Sequence, residues 1–390
     1  MFSNRWAILI VLFFARMTMG FQFQSLAALS PLVIESYAVS LADIGFMIGL
    51  YLAPGVIVAI PGGAIATRFG DKRIIILSML LMMIGAALVS FGPNWGWFTA
   101  GRLLAGAGGV VLNVVMTKML VDWFAGREIS TAIAIFINSW PVGIALALLT
   151  LPSIAAYGGL YLAWITVLLV IGAGLVLFAV GYRAAPGAAA SALTGIKLAR
   201  LPVYALCLAG AIWALYNAAL AMVFSFGPAL LSERGWDLTI ASSATSVFMI
   251  VIAISVPIGG ILADRTGRRD TIMMISFVAY TILMPMVLFV PAWATPVIFV
   301  VVGLLFGLAA GPIMTLPSLV LRPEARAFGM GVFYTIYYAI MMIAPALAGS
   351  MADRSGSIGM AFFLGSVMLI ISMIALGLFR QATAKPKATI

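Results

Sequence analysis

Two arginines stand inside long apolar runs: Arg16 in ILIVLFFARMTMGFQFQ and Arg102 in WFTAGRLLAGAGG. A charge within a run of membrane length is costly, and it marks a substrate path or a specific partner. Arg16 sits about ten residues into its run, which at about 1.5 Å per residue puts it near the middle of a bilayer. On a helix it shares a face with Gly20 and Gln24, and Gln22 and Ser25 add polar groups nearby. All eleven acidic residues (Glu35, Asp43, Asp71, Asp122, Glu128, Glu233, Asp237, Asp264, Asp270, Glu324 and Asp353) fall at the ends of runs or between them. A cation with no protein counter-charge in a wet cavity is a receptor for an anion, and the guanidinium fork fits carboxylate or phosphate oxygens. The competing reading is that Arg16 bonds backbone carbonyls at a helix break or reaches water. Arg102 lies nearer one end of its run, where it snorkels or pairs with Glu35 or Asp43.

Other chemistries find no residues. The chain has no histidine and one cysteine, Cys207, so neither an internal disulfide nor a thiolate metal site is available. The 23 methionines form no Met-x-x-Met cluster aligned across both halves of the chain, and methionine is an adaptable core filler. No nucleophile–base set is present, which argues against an enzyme. No Gly-rich phosphate loop is present, which argues against ATP-driven work, and no cofactor is expected.

The elements that carry these residues are of membrane length. Hydrophobic residues make up 64% of the 390 positions and charged residues 8%, against about 25% charged in a soluble domain. The charge-free stretches 201–232, 238–263, 327–352 and 355–379 each suffice for one crossing, which needs about 20 apolar residues. The runs 129–182 and 271–321 are longer and carry turn residues near the middle, Pro152 and Gly158–Gly159 in the first and Pro291 to Pro296 in the second, so each reads as two crossings. Twelve helices follow: α1 6–33, α2 42–66, α3 74–91, α4 97–118, α5 129–150, α6 160–182, α7 202–231, α8 239–263, α9 271–290, α10 295–320, α11 327–350 and α12 359–379. Helices are expected rather than strands, because backbone polar groups cannot be left open in hydrocarbon. The first run is interrupted by Arg16 and continues to Pro31, so it reads as α1 and not as a cleaved leader.

The net charge of +10 is a topology signal and needs no nucleic-acid partner. Seventeen basic residues fall on the side of the two chain ends, and only Arg234 and Arg354 fall opposite. That bias predicts both termini in the cytoplasm of a bacterial-type inner membrane, with the lipid bilayer as the surrounding partner.

A block of glycine and basic residues occurs twice, as GGAIATRFGDKR at 62–73 and GGILADRTGRR at 259–269. Gly63 and Gly260, Arg68 and Arg265, and Gly70 and Gly267 stand 197 positions apart, so the chain reads as two copies of one design. Gly260, Asp264, Arg265, Gly267, Arg268 and Arg269 match in full the G-x-x-x-D-R-x-G-R-R loop of the major facilitator superfamily. The first copy matches at Gly63, Arg68, Gly70 and Lys72, with Thr67 where the family has aspartate and Asp71 where it has a basic residue. Arg102, Gly106 and Gly108 are similar to that family's α4 motif, whereas Asn138 and Trp140 in NSWPVG lack the glycines of its antiporter motif.

The resemblance covers the whole chain. It implies an all-α membrane protein, with twelve transmembrane helices in two pseudo-symmetric six-helix bundles around a central cavity. The bundles are expected at 1–183 and 201–390, joined by the Ala-, Gly- and Ser-rich linker 184–200. The resemblance also implies alternating access by rocking of the halves, with α1, α4, α7 and α10 lining the cavity. Gly63, Arg68, Gly70, Gly260, Asp264, Arg265, Gly267 and Arg268 would be gate parts, and Arg102 a proton-coupling candidate. Glycines allow tight turns there, and Asp264 can sit against the positive N-terminal end of α5.

The register of 197 sets Trp213 opposite Arg16, Asn217 opposite Gly20 and Pro228 opposite Pro31. Tyr334, Tyr337 and Tyr338 share one face of α11. Arg16, Gln24, Trp213, Tyr216, Asn217, Tyr334 and Tyr337 are therefore the substrate-binding candidates, with Tyr51 and Asn113 weaker; core packing is the alternative for the aromatics. One arginine with an aromatic wall suits a small organic carboxylate. The expected protein is a monomeric secondary transporter of such an anion. The alternative is an exporter of hydrophobic or cationic compounds, which calls for a buried carboxylate.

Overall fold

The computed structural model describes residues 4–58, 70–124, 128–185, 202–321 and 326–383. Among them regular structure is helical throughout. In the first half, α1 runs Arg5–Ala28 and continues as Ser30–Tyr37, α2 runs Leu41–Leu52 and continues as Pro54–Val58, α3 is Asp71–Phe91 and α4 is Trp95–Phe124. The next segment begins as Ile129–Ile137 and resumes as Ser139–Gly181, which is two crossings, α5 and α6, joined at Gly158 and Gly159. In the second half, α7 is Val203–Glu233, α8 Leu238–Thr266 and α9 Arg269–Met286. There α10 is Thr295–Gly307 continued by Ala310–Val320, α11 is Arg326–Ser355 and α12 is Met360–Thr383. Ten described segments are long and apolar enough to cross a bilayer; Ile135–Gly181 among them holds two crossings, and α9 completes the twelve.

Local chemistry explains the breaks. Of the turn residues in 129–182, Pro152 is carried inside the helix, and the corner falls at Gly159, whose φ of 72° and ψ of 178° are open to glycine alone. Pro31 removes an N–H from α1 and breaks it at Leu29. Both signature loops turn on a left-handed glycine at the same repeat position, Gly70 at φ 87° and Gly267 at φ 67°. The large exposed side chains along the helices are apolar, Ile84, Leu169, Val176, Ile254, Ile282 and Ile374 among them. They form the belt that a bilayer requires.

An even number of crossings brings both chain ends to one face, the terminus face. Every ion pair among the described residues lies there, each within one half: Arg5–Glu128 at 2.7 Å, Lys118 with Asp71 at 2.7 Å and Asp122 at 3.2 Å, Arg269–Asp264 at 3.3 Å, and Arg380–Asp270. The departure at Asp71 thus has a partner in Lys118, and its carboxylate sits in the first turn of α3. On the opposite face the halves close on each other. There α2 packs on α11 and α1 meets α7, and the Ser139–Gly181 segment packs on α8. The α2–α11 seam is tight enough that a Cβ on Gly45 would overlap the Pro345 carbonyl, one on Gly49 the Met342 carbonyl, and one on Gly349 the Leu41 carbonyl. Asp353, at the end of α11, accepts hydrogen bonds from the Leu41 and Ala42 amides at 3.1 and 2.7 Å, capping α2 from the other half.

Candidate functional site

Arg16 stands at the midpoint of α1, facing the break in α5. Its Nε donates to Asn113 Oδ1 at 2.9 Å, and its Nη1 reaches the Phe136 and Ile137 carbonyls at 3.1 Å each and Ser139 Oγ at 2.9 Å. The guanidinium carbon lies 4.8 Å from the centre of the Phe136 ring. The Ile137 carbonyl is open because Pro141 has no N–H to supply to it. The helix-break bonding expected as the alternative for Arg16 is therefore present, and it occupies Nε and Nη1. Among the described residues Nη2 has no hydrogen-bond partner, and no carboxylate pairs with Arg16.

The second half faces this cation with phenols. Asn113 Nδ2 donates to the Tyr338 hydroxyl at 3.2 Å, bridging α4 to α11. Tyr334, Tyr337 and Tyr338 pack on one another with ring centres 5.0 to 6.4 Å apart, and Tyr338 is linked to Arg16 through Asn113. Trp213 joins them through Tyr337 at 6.4 Å. The structure thus brings together Arg16, Trp213, Tyr334 and Tyr337, and adds Asn113, Ser139 and Tyr338.

The polar groups of the remaining candidates are bonded to other partners, although the Tyr216 ring also stacks on Trp213 at 5.8 Å. Tyr216 is buried, stacked on Phe306 at 4.2 Å, and its hydroxyl donates to the Phe306 carbonyl at 3.1 Å. Asn217 donates to the Trp213 carbonyl one turn back at 2.8 Å. Gln24 is fully buried and donates to the Phe224 carbonyl at 2.6 Å, a bond between α1 and α7. Arg102 pairs with neither Glu35 nor Asp43. It is 3% exposed and donates to the Met47, Gln22 and Phe23 carbonyls at 3.3, 3.1 and 3.3 Å, with Tyr51 covering its face at 4.8 Å. Asp43 instead closes a capping box with Ser40 at the start of α2.

Of the gate residues, Gly63 and Arg68 lie outside the described residues, as does most of the 184–200 linker. Gly70 and Gly267 shape the turns, and Asp264, largely exposed, pairs with Arg269 five positions on. Gly260, Arg265 and Arg268 lie with them at the terminus-face end of α8. Ser139 and the two carbonyls are the part of the site that sequence reading misses, and Pro141 is the available signal for the Ile137 carbonyl alone.

Comparison with known proteins agrees with this architecture. The model of the Major Facilitator Superfamily matches residues 12–232 and 203–390. The lysosomal dipeptide transporter MFSD1 of Homo sapiens is 24% identical over 97% of this chain and 87% of its own length. The hexuronate transporter of Bacillus subtilis (strain 168) is 22% identical over 100% of this chain and 98% of its own length. Among solved structures, a bacterial homolog of the human lysosomal transporter Spinster, inward-facing and occupied, superposes with a TM-score of 0.80 at 16% identity, covering 100% of both chains. A POT family transporter in complex with 5-aminolevulinic acid gives 0.77 at 14% identity, covering 96% of each. With both halves matched and twelve helices arranged as two pseudo-symmetric bundles, the chain belongs to the major facilitator superfamily of membrane transporters.

Proposed function

We propose that this transporter moves a small organic carboxylate by alternating access, and that Arg16 receives the carboxylate. The observation that carries the reading is the Arg16 guanidinium at mid-helix, without a carboxylate partner among the described residues and with Nη2 uncommitted. Asn113 holds Nε and the carbonyls and Ser139 hold Nη1, so the guanidinium is fixed in place and its Nη2 is pre-oriented for an oxygen of the substrate. Tyr334, Tyr337 and Tyr338 supply hydroxyls, and Trp213 an aromatic wall. The dipeptide and hexuronate handled by two of the relatives both carry a carboxylate, which is consistent with this choice. An exporter of cations would want a buried acid, and no acidic residue is buried among the described residues. The closed α2–α11 face would be the outer side of a bacterial-type inner membrane, and the chain would then face inward.

The test is ligand-induced thermal stabilisation of purified protein across mono- and dicarboxylates, sugar acids and dipeptides. Loss of a charge-assisted bond worth roughly 1.5–3 kcal/mol should weaken binding by about 10- to 150-fold in Arg16→Ala. Arg16→Lys should be intermediate, since it keeps the charge and loses the fork. A second reading, in which Arg16 only pins α1 to the broken α5, is favoured by its three acceptors there. It predicts lower stability of Arg16→Ala with ligand affinity unchanged. Wild-type transport of a carboxylate by Arg16→Ala would remove Arg16 from the binding site.

A further inference from the structure

Within the first half, away from the Arg16 site, a small cavity lies between α1, α3, α4 and α6. It is lined by Gln22, Ser25, Phe98, Arg102 and Trp164, with alanines and valines completing the wall. Its volume of about 10 Å³, counted as the space open to the centre of a water-sized sphere, admits one small guest. The chemistry of the wall is one-sided. Arg102 has five N–H groups, and its three carbonyl bonds leave two of them. The Trp164 indole N–H, a donor with no acceptor function, is buried and has no partner, although Trp164 is only 4% exposed. The other polar groups are already paired: Ser25 donates to the Gln22 carbonyl, the Gln22 amide donates to the Met82 carbonyl, and its Oε1 accepts from Tyr51.

We propose that this cavity binds one desolvated halide ion, chloride under cellular conditions. Spare donors and a buried positive charge select a guest that accepts hydrogen bonds and carries negative charge. A metal cation would meet the guanidinium, and the cavity is too small for a carboxylate-bearing metabolite. Arg102 has no carboxylate partner among the described residues, so the halide supplies its counter-charge. Trp164 supplies the second contact from α6, and the apolar remainder of the wall suits a weakly hydrated anion. The ion would tie α4 and α6 together without taking part in substrate recognition, and so binds whether or not Arg16 receives a carboxylate.

Purified protein would be melted at constant ionic strength in sodium gluconate, chloride or bromide. The expected result is a saturable rise in melting midpoint on the order of 2–4 °C with either halide and none with gluconate. Trp164→Phe keeps the ring and removes the N–H, and it should abolish the halide response. Crystals grown in bromide should give an anomalous peak between Arg102 and Trp164, a result that needs no variant. Equal melting in all three salts, a halide response that survives in Trp164→Phe, or a bromide-free cavity holding only water would each overturn the proposal.

Discussion

At the scale of single residues, prolines in these helices create the acceptors that polar side chains use. Pro228 withholds the N–H that would bond Phe224, and Gln24 from the other half donates to that carbonyl; Pro141 and Arg16 repeat the arrangement at Ile137. A buried carbonyl left bare costs about 1–3 kcal/mol. Gln24→Leu should therefore lower stability by about that amount. Adding Pro228→Ala restores the backbone donor and should recover part of the loss, so a double-mutant cycle in mild denaturant should show coupling. Strictly additive effects would mean that the bond between α1 and α7 contributes nothing. Prolines are visible in a sequence, but which distant side chain takes the freed carbonyl is not. For that reason Arg16 was recognisable as important while its partners on α5 were not, and Gln24 was grouped with Arg16 although it bonds α7.

At the scale of elements, the seam between α2 and α11 decides which face is shut. Gly45, Gly49 and Gly349 let two backbones touch, and Asp353 caps the first turn of α2. Gly49→Leu should force the seam apart, and a cysteine placed at Ala346 should then label faster from that face. Asp353→Asn removes a charge–dipole contact worth about 0.3–1 kcal/mol at an exposed site, so it should shift labelling in the same direction by a smaller factor. Unchanged labelling in Gly49→Leu would show that the seam does not hold the halves together. The helices themselves were legible because membrane-length apolar runs leave few choices. Most described ends fall close to expectation, but α4, α5 and α11 run on to Phe124, the Gly158–Gly159 corner and Ser355, and the expected end of α2 lies outside the described residues; Gly158–Gly159 is one of the turn signals in the sequence. The breaks in α1, α2, α5 and α10 are not legible, because a proline inside an apolar run signals a kink as readily as a continuing helix, and Pro152 is simply carried. Pairing of α2 with α11 had no sequence signature, since small residues face many kinds of neighbour.

At the scale of the whole molecule, the two faces are held by different forces: ion pairs within each half on the terminus face, and backbone contact between halves on the other. The bias of basic residues predicts that the terminus face is cytoplasmic, so a reporter active only in the periplasm should be silent when fused after Ile390. Activity there would reverse the orientation. Asp264, now paired with Arg269, should engage the start of α5 when the terminus face closes. Asp264→Asn should therefore favour the state open on that face more than Thr67→Ala does, as read by cysteine accessibility; equal effects would count against unequal gates. The corner at Gly158–Gly159 bears on the mechanics of any such movement. It joins α5 to α6 through two residues, with Gly159 in a conformation that other residues resist. The corner is thus an elbow with no slack, whereas a loop would let each arm pivot alone. A push on α5 should therefore reach α6 as leverage rather than be absorbed at the joint.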